Sequence, residues 1–87
     1  MTVRTNRVGA MMVYAGTLDE LAEVADSYAG GLRVMPAGLN AGHLKRTAEQ
    51  LRAGYRVHDL GPLRFYGDAA DGTPFRAPYA PPTDART

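Results

Sequence analysis

The sequence contains no cysteine and no tryptophan, and it has one lysine, Lys45, and one serine, Ser27. Without cysteine the chain has no disulfide framework, no thiolate zinc site and no cysteine nucleophile. It also lacks an excess of either charge, because ten basic and nine acidic residues give a net charge of +1. Bulk charge therefore favours neither nucleic acid nor a membrane as partner. No apolar run approaches the roughly 20 residues that span a bilayer, and we expect no membrane contact.

The residues that are present suit one small domain. The chain has 87 residues, of which 45% are hydrophobic, so a single core of this size barely offsets the entropy of folding. Nine of the ten basic residues are arginine, and alanine occurs 14 times. This bias is typical of a high-GC genome, such as that of an actinobacterium or one of its phages.

Two segments have the periodicity and end signals of amphipathic helices. Over 17–29, Thr17 and Glu20 match a capping box, and two glycines follow. Over 41–53, Asn40 is a suitable N-cap, and a glycine again follows. The first helix carries four acids and no base, whereas the second is mainly basic. We expect their charged flanks to pair.

The apolar run 8–15 predicts a strand buried on both faces. Two arginines precede it, as in a secretory signal peptide, but an acidic amphipathic helix follows at once. Met11 or Met12 is an alternative start that would shorten this strand. Shorter alternating segments predict three further strands. These are 32–35, 55–60 and 63–66.

The resulting order, β-α-β-α-β-β, predicts a small two-layer sandwich of the α/β class, bordering on α+β. Both helices would cover one face of a three- or four-stranded sheet. Right-handed crossovers would make the first three strands parallel and leave the last antiparallel at an edge. We expect an N-terminal arm over 1–7, one domain over 8–67, and a loop with a proline-rich C-terminal arm over 68–87.

Alternation assigns each strand residue to one face of the sheet. Leu32, Val34, Val57, Leu63 and Phe65 would then point towards the helices. The opposite face would carry Arg33, Arg56, His58, Arg64 and Tyr66. Arginine and tyrosine in this mixture suit a protein interface, although a solvated face and a single-stranded nucleic-acid surface are alternatives.

The C-terminal arm is the most distinctive part of the sequence. Four of the six prolines lie within 73–87, so the arm is neither helix nor central strand. Phe75 and Tyr79 are the natural anchors for docking it on a surface.

Little in the sequence indicates catalysis. His43 and His58 are the only histidines, and an enzyme of this size would need a pocket around one of them. The glycine-containing loop 38–43 has neither phosphate-binding spacing, so a tight turn is favoured over an anion site. We predict no metal and no cofactor.

We therefore expect a non-enzymatic protein-interaction or structural module in the cytoplasm, or in a particle assembled there. It would act as a homo-oligomer or as part of a larger assembly, through the arginine–tyrosine face, Phe75 and Tyr79. The alternative is a nucleic-acid-binding regulator. Its contacts would be Arg33, Lys45, Arg46, Arg52, Arg56 and Arg64.

Overall fold

The computed structural model describes residues 3–75. They form four strands and two helices. In chain order these are β1 (Arg4–Val8), β2 (Met11–Gly16), α1 (Leu18–Ala29), α2 (Ala41–Arg52), β3 (Val57–Asp59) and β4 (Leu63–Gly67). The two helices lie on one face of a four-stranded mixed sheet. This two-layer arrangement confirms the predicted fold class.

Both predicted helices form, and both begin at the predicted caps. The Glu20 amide donates to Thr17 Oγ1 at 3.2 Å, and the Thr17 amide donates to Glu20 Oε1 at 3.1 Å. In α2 the His43 amide donates to Asn40 Oδ1 at 3.0 Å, and His43 Nδ1 accepts from the Asn40 amide at 3.2 Å. These bonds satisfy donors that a helix start leaves unpaired. Within the described residues, neither helix is long and apolar enough to cross a membrane.

The sheet has the order β1-β2-β4-β3. The central strands β2 and β4 are parallel, and β1 and β3 flank them in antiparallel orientation. The predicted edge position of the last strand is therefore wrong, because β4 pairs with β2 at the centre and β3 takes the edge. Gly9 has a φ of 61° in the two-residue turn between β1 and β2, a conformation that a residue with a Cβ adopts rarely. The predicted turn at Gly61 connects β3 to β4, where its amide donates to Asp59 Oδ1 at 3.0 Å.

The core lies between the sheet and the helices. Tyr14 of β2 stacks on Phe65 of β4, with ring centroids 5.6 Å apart, and both are buried. Leucines from both helices complete the cluster, each contributing about 1.5–3 kcal/mol by its burial. They are Leu21, Leu44 and Leu51.

The helices also pair through charge, as expected. Arg52 of α2 contacts Asp26 of α1, with Nη2 and Oδ2 2.9 Å apart. Because about half of each side chain is exposed, the pair adds at most about 1 kcal/mol. It fixes the arrangement of the helices more than it stabilises them.

The strand predicted over 32–35 does not form. The amides of Leu32 and Arg33 both donate to the Ser27 carbonyl, at 2.9 and 3.2 Å, so the chain folds back onto the end of α1. Leu32 and Val34 are 85% and 91% exposed, not directed towards the helices. Four alternating residues are too few to outweigh these local helix-ending bonds.

The N-terminal arm predicted over 1–7 is also wrong in part, because Arg4–Val8 is strand β1. This strand pairs with β2 over five residues, from Arg4 opposite Ala15 to Val8 opposite Met11. Its composition is polar because it lies at the edge of the sheet, where the helices do not cover it. The folded unit therefore begins before residue 8.

Candidate interaction face

The candidate site is the sheet face away from the helices, called here the outer face. Its centre is apolar and buried, with Val13 and Ala15 0% exposed and Tyr66 7% exposed. The plain alternative of a solvated face therefore does not describe its centre. The register of the ladders assigns ten strand residues to this face. They are Arg4, Asn6, Val8, Met11, Val13, Ala15, Val57, Asp59, Arg64 and Tyr66.

Phe75 lies on the outer face and stacks on Tyr66. The two ring centroids are 4.7 Å apart and the rings are nearly parallel, at 2°. The Arg56 guanidinium lies 5.8 Å from the Phe75 centroid, and Arg56 Nε donates to the Gly67 carbonyl at 3.0 Å. Phe75 is thus held between the Tyr66 ring and the Arg56 guanidinium.

Asp68 fixes the backbone at the same place. Its Oδ1 accepts a hydrogen bond from the Phe75 amide at 3.1 Å and lies 2.7 Å from Arg4 Nη2. Burial by itself would raise the pKa of Asp68, but the bonds from Arg4 and from the Phe75 amide outweigh it. The pKa of Asp68 is therefore lowered from its ordinary value. We call Arg56, Tyr66 and Asp68 the Phe75 site.

Arg64 lies on the outer face as predicted, two residues before Tyr66 on β4. Its Nε is 3.1 Å from Oδ1 of Asp59, the cross-strand neighbour on β3. This ion pair lies on the outer face beside its apolar centre.

Two of the three residues of β3, Val57 and His58, lie on the faces opposite to those predicted. Val57 pairs with Tyr66 and so lies on the outer face, 53% exposed, whereas His58 pairs with Phe65 on the helix side. The reason is the turn, because four residues separate the paired Asp59 and Arg64. Odd-numbered residues of β3 therefore lie on the same face as even-numbered residues of β4. Alternation within one strand does not indicate how its faces match those of the next strand.

Arg33 is likewise not on the outer face, because the strand that would have placed it there is absent. Its Nε donates to Ser27 Oγ at 2.7 Å. Its guanidinium carbon lies 5.9 Å from the Tyr14 ring and 5.8 Å from the Tyr28 ring. Arg33 thus packs against α1 and β2 on the helix side of the sheet.

The predicted site residues consequently divide into three groups. Arg56, Arg64, Tyr66 and Phe75 come together on the outer face. Arg33 and His58 lie elsewhere, and Tyr79 lies outside the described residues.

Each of the two histidines makes a local hydrogen bond with a residue three positions before it. His43 caps α2, and His58 Nε2 lies 2.9 Å from the Tyr55 carbonyl oxygen. Ser27 Oγ donates to the Val24 carbonyl at 2.6 Å. Among the residues that the structure describes, no three His, Asp or Glu side chains are grouped to hold a metal ion.

A cleft of about 610 Å³ opens where β2 and β4 end. Ligands of open α/β sheets commonly bind beyond the carboxyl ends of parallel strands. Arg4 and Asp68 line one side, and Asp19 and Glu20 of α1 line another. Sequence reasoning missed Arg4 and Asp68. No local pattern marked either residue, because residues 4–7 are all polar and Asp68 lies in a loop.

The basic residues of the nucleic-acid alternative do not share a surface. Lys45 and Arg46 are exposed on α2, on the helix side of the sheet. Arg64 lies on the outer face, and Arg52 pairs with Asp26.

No protein-family model, no curated protein and no solved structure matches this chain. The fold and the outer face together define a small two-layer α+β domain with an aromatic side chain of its own C-terminal segment stacked on the sheet.

Proposed function

We propose that the chain is a non-enzymatic protein-interaction or structural module, which acts as a homo-oligomer or as a component of a larger assembly. Its outer face holds an extended segment that inserts an aromatic side chain at the Phe75 site. The stacking of Phe75 on Tyr66, with centroids 4.7 Å apart, carries this proposal. We place the protein in the cytoplasm, or in a particle assembled there.

The Phe75 site has the parts of an anchor pocket for an extended chain. An offset aromatic pair contributes about 0.5–1.5 kcal/mol beyond its buried area, and a cation over the ring adds about 0.5–1 kcal/mol at an exposed position. The bond from the Phe75 amide to Asp68 holds the main chain as well as the ring. Recognition of both backbone and side chain is typical of sites that bind extended peptides.

The sequence that continues from Phe75 suits such a role. It contains three more prolines and Tyr79, and prolines lower the entropy lost when an extended segment binds. A segment of this kind, supplied by the same copy or by a neighbouring one, would join subunits through the outer face. The engagement of both histidines and Ser27 in local hydrogen bonds supports a role that does not involve catalysis.

The test is a titration of a fluorescent peptide with the sequence of residues 73–87 into the full chain. We expect weak binding to the wild type, because its own Phe75 occupies the site. Phe75→Ala vacates the site, so the peptide should bind at least tenfold more tightly, a gain of about 1.4 kcal/mol.

Adding Tyr66→Ala to Phe75→Ala should abolish that gain, because it removes the stacking partner. Adding Tyr55→Ala to Phe75→Ala is the matched control and should keep the gain, since Tyr55 is an exposed tyrosine outside the Phe75 site. Equal binding to all four folded proteins, or binding to none, would contradict the proposal.

A further inference from the structure

Among residues 3–75, no strand pairs with the outer edge of β1, whose main-chain groups follow a defined pattern. The Met12 amide donates to the Pro62 carbonyl at 2.8 Å, and the Gly16 carbonyl accepts from the Asp68 amide at 2.8 Å. These two β2 residues therefore direct their main-chain groups towards β4. In an extended strand, alternate residues direct them to opposite sides, so Val13 between them directs its groups towards β1.

The same alternation fixes the edge of β1. Asn6 is opposite Val13, so Asn6 uses its amide and carbonyl in the ladder with β2. Its neighbours Thr5 and Arg7 then direct their amides and carbonyls outward, away from the sheet. Both residues are exposed. Their side chains lie on the helix side of the sheet, because Thr5 pairs with Tyr14.

A groove of about 430 Å³ runs beside this edge, between Val3 and helix α1. Glu20 and Glu23 line its helix side, and Arg33 lies at its wall. Within residues 3–75, no hydrogen-bond donor reaches the buried Oε2 of Glu20. The groove therefore carries the two carboxylates of Glu20 and Glu23 against the one guanidinium of Arg33, and this net negative charge favours a basic occupant.

The edge strand itself carries the complementary charge. Arg4 and Arg7 are the charged residues of β1, and both are basic. Arg4 is already paired with Asp68 on the outer face, whereas Arg7 lies exposed on the same side of the sheet as the groove. The occupant that the groove selects is thus a basic edge strand of the kind that this chain presents.

We propose that two copies of the chain pair β1 to β1, antiparallel, about a twofold axis at Thr5. Thr5 of each copy then faces Thr5 of the other, and Val3 faces Arg7 of the second copy. Three facing pairs that exchange two bonds each give about six main-chain hydrogen bonds. The two sheets become one sheet of eight strands, with all four helices on one side.

This register also explains the charges. Arg7 of the second copy lies beside Val3 and so next to Glu20 and Glu23, in a groove that occurs twice in the symmetric pair. No arginine faces an arginine, because Arg4 faces Asn6 of the second copy. A closed twofold pair also removes the exposed edge as a template for further association.

The β1 pairing names a second copy as the partner, and it rests on the proposed function only in that the domain acts through protein contacts. The pairing uses the β1 edge and the proposed function uses the outer face, so an experiment can contradict either one alone. The test is the mass of the full chain in solution, measured by light scattering over a range of concentrations. We expect twice the 9.3 kDa of one chain.

Thr5→Pro is the first variant, because it removes an outward amide and leaves the ladder between β1 and β2 intact. It should give a folded monomer, whereas the control Thr5→Val, which keeps the amide, should stay dimeric. Arg7→Glu and Glu23→Arg should each raise the dimer dissociation constant about tenfold or more, and the double variant should restore the dimer.

A monomeric wild type at every concentration would overturn the proposal. So would a dimer that Thr5→Pro leaves intact. If that dimer is instead lost in Tyr66→Ala, the outer face is the contact between copies, and the proposed function stands while this edge pairing is wrong. If Thr5→Pro dissociates the dimer and the peptide of residues 73–87 does not bind, the edge pairing stands without the proposed outer-face function.

Discussion

Tyr14 and Tyr28 join their hydroxyl groups across the core, with the two oxygens 2.8 Å apart and the rings edge to face at 74°. Both residues are buried, at 4% and 7% exposure. One polar contact thus links β2 to α1 within an otherwise apolar cluster. Each hydroxyl depends on the other, because a buried polar group without a partner is costly.

Removing both hydroxyls should therefore cost less than the sum of the two single removals. We expect Tyr28→Phe to lower the free energy of unfolding by about 1–3 kcal/mol, since it leaves the Tyr14 hydroxyl unpaired. The double variant Tyr14→Phe/Tyr28→Phe should lose less than the sum of the single variants. Urea denaturation of the four proteins measures this coupling, and strictly additive losses would contradict it.

The same pair predicts sensitivity to alkali. Burial raises the pKa of Tyr28 above its ordinary value, and the hydrogen bond with Tyr14 raises it further. The folded state therefore favours the neutral hydroxyl of Tyr28. The stability that this hydroxyl contributes is fully present below the ordinary pKa of about 10 and is lost as the pH rises above it.

We expect the wild type to lose more stability than Tyr28→Phe between pH 8 and pH 11, measured as the change in unfolding free energy. Tyr55→Phe, which removes an exposed tyrosine hydroxyl, controls for the number of tyrosines and should follow the wild type. Equal losses in Tyr28→Phe and the wild type would count against the role of this hydroxyl.

The stability that Asp68 contributes should fall at acid pH, whereas the stability that Tyr28 contributes falls at alkaline pH. Its pKa is lowered in the folded state despite burial, because Arg4 and the Phe75 amide bond to the charged carboxylate. Its contribution is therefore present above the unfolded pKa of about 3.9 and is lost as the pH falls through the lowered value.

Asp68→Asn keeps an acceptor but removes the charge, and we expect it to cost about 1–3 kcal/mol at pH 7. The difference from the wild type should be constant from pH 7 to about pH 5 and should shrink as the pH falls through the lowered pKa of Asp68. Denaturation at several pH values checks this, and a difference that is constant with pH would show that charge at Asp68 is unimportant.

The loop after α1 predicts which of its side chains matter for folding. Leu32 and Val34 are exposed, so Leu32→Ser and Val34→Ser should change the unfolding free energy by no more than about 0.5 kcal/mol. Arg33→Ala should cost more, about 1–2 kcal/mol, because it removes the bond to Ser27 and the contact with two rings. Thermal denaturation compares the three, and a large loss in Val34→Ser would indicate that its side chain is buried.

The sequence predicted the parts of this fold that local chemistry decides. The caps at Thr17 and Asn40 place both helices to within a residue of the structure. The outer-face positions of Arg64 and Tyr66 follow from alternation within one strand. The stacking of Phe75 on Tyr66 agrees with the expectation that this ring packs on a surface, while its role as an anchor for a partner stays a prediction.

What the sequence did not predict depends on partners distant in the chain. Residues 32–35 alternate like a strand, yet none of the four strands within residues 3–75 pairs with them. Arg4 is polar like an arm residue, and its position in a strand becomes evident only beside Ala15 and Asp68. The side of His58 depends on the length of a turn, which the pattern within β3 does not contain.

The parallel pairing of β2 with β4 joins the two halves of the sheet. Strands β1 and β2 form a local hairpin, β3 and β4 form another, and the helices between them make a third local unit. The centre of the sheet joins residues far apart, such as Met12 and Leu63. Local hairpins form in about 1–10 μs, whereas distant pairings must first overcome the entropy of closing the intervening chain. We therefore expect the pairing of β2 with β4 to limit the folding rate, so that substitutions along this pair slow refolding in stopped-flow measurements more than substitutions in either hairpin turn.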